Sequence, residues 1–149
     1  MRIADICTHD VIQIGPDAPL REAAEMMRKQ HVGALVVTEQ PNGEQIPVGI
    51  ITDRDIVLAV VAPGVKPEAL TTADVMTREL ATCTEDQELF DAIQTMRKRG
   101  VRRLPVLNAH GGLAGIVVAD DIFSALGTHM RDLSQVLGHE QAHEIHLRG

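Results

Sequence analysis

The string Gly49-Ile50-Ile51-Thr52-Asp53-Arg54-Asp55 holds the residues best suited to chemistry in this 149-residue chain. Its hydroxyl and carboxylate, Thr52 and Asp55, follow an apolar run and fall where a strand gives way to a helix. A helix start offers partial positive charge and free N–H groups to an anion such as phosphate. Asp55, one turn in, can accept two hydrogen bonds from a vicinal diol. Gly49 lets another group approach the backbone closely. The same residues also suit a plain helix start, with Thr52 as N-cap and Asp55 favouring the dipole, and spacing alone leaves both readings open. A second string, His139-Glu140-Gln141-Ala142-His143, spells the H-E-x-x-H of zinc proteases, with His146 following at helical spacing. Proteolysis is not expected from it, because no domain for a third ligand or substrate cleft follows. Adventitious metal binding, or a tail helix carrying three histidines on one side, is the expectation. Cys7 and Cys83 fit neither metal spacing nor a disulfide framework and read as small core residues.

The elements that must position Thr52 and Asp55 are written twice. Shifted by 69, Ala4-Asp5-Ile6-Cys7-Thr8 overlays Ala73-Asp74-Val75-Met76-Thr77, and Asp17, Leu20, Ala23, Met27, Arg28 and Lys29 meet Asp86, Leu89, Ala92, Met96, Arg97 and Lys98. The offset then drops to 66, so that Gly49-Ile50 overlays Gly115-Ile116 and Asp55-Ile56 overlays Asp121-Ile122. Two copies are too few for a solenoid, so a pair packed face to face is expected. Each copy reads β-α-β-β-α. Strands are predicted at Val11–Ile14 and Leu80–Cys83. Helices follow with Leu20, Ala23, Ala24 and Met27, and with Leu89, Ala92, Ile93 and Met96, at helical spacing; Gly33 and Gly100 mark their end regions. Ala34–Val37 and Leu104–Leu107 read as buried strands, with Pro105 suggesting an edge or a strand end. Turn signals lead to partner strands at Val48–Ile51 and Ala114–Val118, then to helices at Asp53–Val61 and Asp120–Leu126. The boundaries are drawn at 1–66 for the first repeat, 67–127 for the second and 128–149 for a helical tail. Leu133, Val136 and Leu137 in that tail suggest docking on its own module or on a second subunit.

Two β-α-β-β-α repeats, the junction GIITDRD and the string GVRRLPVL resemble a pair of cystathionine-β-synthase (CBS) domains, over residues 1 to about 127. The resemblance implies an α/β (α+β) fold of two repeats around a pseudo-twofold axis, with two clefts that take adenosine-containing ligands such as AMP, ADP, ATP or S-adenosylmethionine. It implies sensing and regulation rather than catalysis, no resident cofactor or metal, and frequent dimerisation. Carried over residue by residue, Gly49, Thr52 and Asp55 form the first junction, with Asp55 on the ribose hydroxyls and Thr52 towards ribose or phosphate. Ile12, Gln13 and Ala34 take positions that line the base pocket. In the second copy Gly115 and Asp121 are retained, Val118 replaces the threonine, and Thr82 stands at the Gln13 position. Arg102 and Arg103 match a basic pair that faces phosphate, and interleaving of the repeats would carry them into the cleft of Thr52 and Asp55. The missing hydroxyl at Val118 implies unequal clefts.

Composition sets the outer limits. Fourteen basic against 21 acidic residues give a net charge of −7, which speaks against a nucleic-acid binder. The longest apolar run, Ile56 to Ala62, is far short of a membrane span of about 20 residues. The acid-bearing start MRIADICTHD does not read as a signal peptide, so a cytoplasmic protein is expected. With Phe90 and Phe123 as the only aromatic residues, a bound base must rest on aliphatic side chains and backbone. The expectation is a regulatory adenine-nucleotide sensor, homodimeric, acting on a protein partner. The competing reading is a ligand-free scaffold for dimerisation or partner control.

Overall fold

The computed structural model describes residues 1–148. Its first repeat runs through β1 (Gln13–Ile14), α2 (Leu20–Gln30), β2 (Ala34–Glu39), β3 (Ile46–Thr52) and α3 (Asp53–Ile56), preceded by the short α1 (Ile3–Ile6). The helix begun by α3 continues as a wider π turn over Val57–Val61. The second repeat follows with α4 (Thr72–Val75), β4 (Cys83–Thr84), α5 (Leu89–Arg99), β5 (Arg103–Leu107), β6 (Leu113–Val118) and α6 (Ala119–Arg148). Each repeat builds a three-stranded sheet, β1-β2-β3 and β4-β5-β6, with the first pair parallel and the second antiparallel. The register shifts at the same place in both, between Val37 and Thr38 and between Val106 and Leu107. This is the α+β pair of repeats expected from the sequence.

The helices form where apolar residues recur on one face. Leu20, Ala23 and Met27 are the buried residues of α2, and Ala92 and Met96 those of α5. Both helices end on a left-handed residue, His31 (φ 56°) and Gly100 (φ 66°), whose N–H groups donate to the carbonyls of Met27 and Met96. Gly33 is therefore not the counterpart of Gly100. The residue at that offset is His31, and Gly33 lies beyond the cap, where its carbonyl accepts from Asp53 N–H at 3.0 Å.

Three further expectations are corrected. The first strand of each repeat is two residues long and starts later than predicted, because only Gln13–Ile14 and Cys83–Thr84 pair with the neighbouring strand. Pro105 lies in the central strand β5, not at an edge. Its position costs a single bond. Ile116, opposite it, turns its N–H and C=O away towards Thr8, and in the first repeat the equivalent Val36 N–H donates to Ile12 O at 3.2 Å; proline removes only that donor. Finally, the second helix of repeat two and the tail are one helix of 30 residues, which passes through Gly127 and Gly138. From Leu126 to Leu147 every residue is exposed, so the tail does not dock on its own module.

The two lead-in segments are exchanged between the repeats. Ile3, fully buried, sits in the core of the second repeat with Ala92, Leu104, Val106 and Val117, while Met76 sits in the core of the first with Leu20, Val37 and Ile51. The backbone follows: Thr8 and Ile116 exchange hydrogen bonds of 2.8 and 2.9 Å, and Thr77 and Ile50 exchange bonds of 2.8 and 3.0 Å. Burying a residue such as Ile3 contributes about 1.5–3 kcal/mol, so each lead-in ties its own repeat to the other.

Candidate functional site

Exchange of the lead-ins brings the end of β3 in the first repeat against the segment entering β5 in the second. Between them lies a cleft of about 320 Å³. Thr52 and Asp55 line one wall. Val101, Arg102 and Arg103 line the other, with Leu80 and Ala81 from the approach to β4 and Glu79 at the lead-in. Ile50 and Thr77, joined by their backbone bridge, close the floor.

Thr52 and Asp55 are held rigidly. Thr52 Oγ1 accepts from Asp55 N–H at 3.1 Å, and Asp55 Oδ2 accepts from Thr52 N–H at 2.9 Å. This reciprocal box caps α3 and fixes both side chains in half-buried positions at the cleft. The cap and the exposure to the cleft coexist, because the box engages one carboxylate oxygen of Asp55 and leaves Oδ1 free of hydrogen bonds among the described residues. The two arginines differ. Arg102 pairs with Asp120 at 3.0 Å, with both side chains three-quarters exposed. Arg103 is exposed and makes no hydrogen bond or ion pair among the described residues. The cleft thus presents the capped carboxylate of Asp55, the carboxylate of Glu79, the hydroxyls of Thr52 and Thr77, a paired guanidinium and a free one, beside aliphatic side chains.

The other sequence candidates lie elsewhere. Gly49 is one residue before the cleft, and a Cβ there would come within 2.4 Å of Met76 Sδ and 3.1 Å of Thr77 O. The close approach that this glycine permits is that of the exchanged lead-in. Gln13 lines a separate shallow cavity with Thr38 and Gln45, and its Oε1 lies 3.1 Å from the buried Thr38 hydroxyl. Ile12, Ala34, Thr82 and Asp121 do not line the cleft of Thr52 and Asp55. Ala34 stands opposite Thr52 in the β2–β3 ladder, and Ile12 packs against the core of the first repeat. Val118 stands opposite Arg103. Sequence reasoning missed Glu79, Leu80, Ala81 and Val101. The repeat offset held the signal for one of them, since Ala81 is the counterpart of Ile12.

The cysteines are packing residues. Cys83 is buried, and that burial, with Cys7 nearby adding to it, pushes its thiol up to about 12. Burial also raises the Cys7 thiol, helped by the charge of Glu85. Among the described residues, no group of three histidines, cysteines or carboxylates is arranged to hold a metal ion, the tail histidines included. No described helix is long and apolar enough to cross a membrane.

Comparison with known proteins agrees with this architecture. The CBS domain model matches residues 3–62 and again 73–128. An uncharacterized protein of Methanopyrus kandleri is 36% identical over 120 residues, which cover 80% of this chain and 60% of that protein. The CBS domain-containing protein YhcV of Bacillus subtilis is 34% identical over 120 residues, covering 80% of this chain and 81% of the relative. Among solved structures, a CBS-domain protein of Agrobacterium tumefaciens superposes with a TM-score of 0.72 at 29% identity, over 84% of this chain and 98% of that one. The CBS domain pair of protein MJ0100, solved with 5′-methylthioadenosine and S-adenosyl-L-methionine, superposes with a TM-score of 0.74 at 26% identity, over 87% of this chain and 98% of that one. Two matches in tandem, two like sheets and an interdomain cleft lead to one conclusion: the chain belongs to the CBS-domain family, as a pair of CBS repeats.

Proposed function

We propose that the protein is a regulatory module that binds an adenosine-containing ligand between its two repeats, without catalysing a reaction. The observation that carries this reading is the meeting, in one cleft, of Thr52 and Asp55 from the first repeat with the free Arg103 from the second. Asp55 Oδ1 accepts from the ribose hydroxyls, and the carboxylate is already oriented by its cap. Arg103, with Arg102 beside it, meets the phosphate or carboxylate of the ligand's tail, for which a guanidinium fork is well shaped. Ile50, Leu80, Ala81 and Val101 supply the aliphatic slot for the base. The adenosyl ligands of the MJ0100 pair support the same ligand class here.

A ligand held this way touches both repeats and so couples their relative position to its concentration, which is what a sensor of AMP, ADP, ATP or S-adenosylmethionine requires. The test is calorimetric titration of the full chain with these four compounds. At least one is expected to bind with a stoichiometry of one or more per chain. Asp55→Ala should weaken it by about 10- to 150-fold, the equivalent of a lost charge-assisted hydrogen bond of 1.5–3 kcal/mol. Binding unchanged in that variant, or no binding by any of the four, overturns the reading.

A further inference from the structure

The H-E-x-x-H string falls in the projecting part of α6, outside both repeats, and the cleft makes no use of it. The helix runs unbroken over Ala119–Arg148, so helical geometry sets the spacing of His139, His143 and His146. At about 100° and 1.5 Å per residue the three lie within an arc of about 60°, with His143 about 6 Å beyond His139 and His146 about 4.5 Å further on. All three are exposed and make no hydrogen bond or ion pair among the described residues. Imidazole suits Zn²⁺, Cu²⁺ and Ni²⁺ as a ligand. Metal–nitrogen bonds of about 2.0–2.1 Å let two rings on neighbouring turns, with Cβ atoms about 5–6 Å apart, meet on one ion. The surroundings favour a cation. From Asp132 to Leu147 the chain has no lysine or arginine, while Asp132, Glu140 and Glu144 are acidic.

We propose that His143, paired with His139 or with His146, forms a two-point site on α6 for a late first-row divalent cation such as Zn²⁺, with water in the remaining positions. His143 is the shared member because it alone has a histidine one turn away on each side. His139 and His146 stand about 10.5 Å apart along the axis, two turns that one ion does not bridge without it. The site needs no third protein ligand, in keeping with the absence of a three-residue metal cluster among the described residues. It is not a hydrolytic centre. A catalytic zinc takes three protein ligands, and every residue from Leu126 to Leu147 is exposed, so no cleft forms over this face. Gly138 weakens the helix just ahead of the site, and an ion clasping the turns that follow holds the end of α6 helical, since metal binding and folding are coupled. The site lies apart from the cleft and does not depend on the adenosyl ligand.

The test is calorimetric titration of the full chain with zinc chloride, with far-UV circular dichroism of the same samples. One ion per chain is expected, with a gain in helical signal. His143→Gln leaves no pair and should weaken Zn²⁺ binding by about tenfold or more; the double variant His139→Gln/His146→Gln should match it. Either flanking variant alone keeps one pair and should lose less. His129→Gln, elsewhere on α6, should bind like the parent, and magnesium chloride, whose ion prefers oxygen ligands, should give no comparable binding. All four histidines are exposed, so thermal midpoints without metal should agree and verify folding. No Zn²⁺ binding by the parent, unchanged binding in His143→Gln, an equal loss in His129→Gln, or Mg²⁺ held as tightly as Zn²⁺ overturns the proposal.

Discussion

Alanine at Gly115 and at Gly49 probes the exchanged lead-ins with two nearly equivalent insertions. At Gly49 the new methyl would stand 2.4 Å from Met76 Sδ, 2.9 Å from its Cγ and 3.1 Å from Thr77 O. The first two atoms belong to a flexible side chain that can swing aside, and the third must yield by a few tenths of an ångström. At Gly115 the methyl would stand 2.7 Å from Thr8 O and 3.0 Å from Cys7 Sγ. Thr8 O belongs to the backbone and already accepts from Ile116 N–H at 2.9 Å, while Thr8 N–H donates back at 2.8 Å. Relief there means moving the lead-in and weakening both bonds. Overpacking alone costs about 1–3 kcal/mol, and each weakened bond adds up to about 1 kcal/mol. Gly115→Ala is therefore expected to lose about 3 kcal/mol and Gly49→Ala about 1–2 kcal/mol. Urea unfolding followed by far-UV circular dichroism measures both, since the chain has no tryptophan or tyrosine. Equal losses, or a greater loss at Gly49, would refute the reasoning.

Three further outcomes are expected. Thr52→Val removes the hydroxyl that caps α3 and should cost about 1 kcal/mol, while Val118→Thr restores a cap at the equivalent position and should gain up to about 1 kcal/mol in the same urea assay. His31→Gly should stabilise by about 0.5–1 kcal/mol, because glycine takes the left-handed conformation without a Cβ penalty; a loss of stability would mean that the imidazole holds that cap. Cys83 is protonated in the fold well beyond the ordinary thiol range, so the stability it contributes is complete below about pH 8.5 and is lost as pH rises towards 12. The thermal midpoint of the parent should therefore fall more steeply than that of Cys83→Ala across this alkaline range, and parallel curves would contradict the buried thiol.

Much of this fold is legible in the sequence because each repeat buries one face of each element. Leu20, Ala23 and Met27 mark α2 by period, and the turn-flanked apolar runs mark β2 and β3. The exchange of lead-ins is not legible in that way. Ala4–Thr8 and Ala73–Thr77 contribute to four-residue helices, too short for a period, and the strands they bridge to belong to the other repeat. The repeat alignment showed the match but not which core each copy enters. Pro105 misleads because a central strand next to a two-residue neighbour loses only one bond to proline. The continuous α6 is hidden by Gly127 and Gly138, each costing a helix interior only about 1 kcal/mol. At the site, Thr52 and Asp55 are legible as a strand-to-helix junction. Their facing wall is supplied by the other repeat, so Glu79, Leu80, Ala81 and Val101 carry no local signature.

The central claim is that one ligand is gripped by both repeats at once, and a double-mutant cycle on binding tests it most directly. The full chain, Asp55→Ala, Arg103→Gln and the double variant would be titrated with whichever of AMP, ADP, ATP or S-adenosylmethionine binds the parent most tightly, with Gln13→Ala as a control outside the cleft. Each single variant is expected to weaken binding of that ligand at least tenfold, and Gln13→Ala to leave it unchanged. If Arg103→Gln binds like the parent while Gln13→Ala abolishes binding, the ligand is held by a different surface and the account is contradicted.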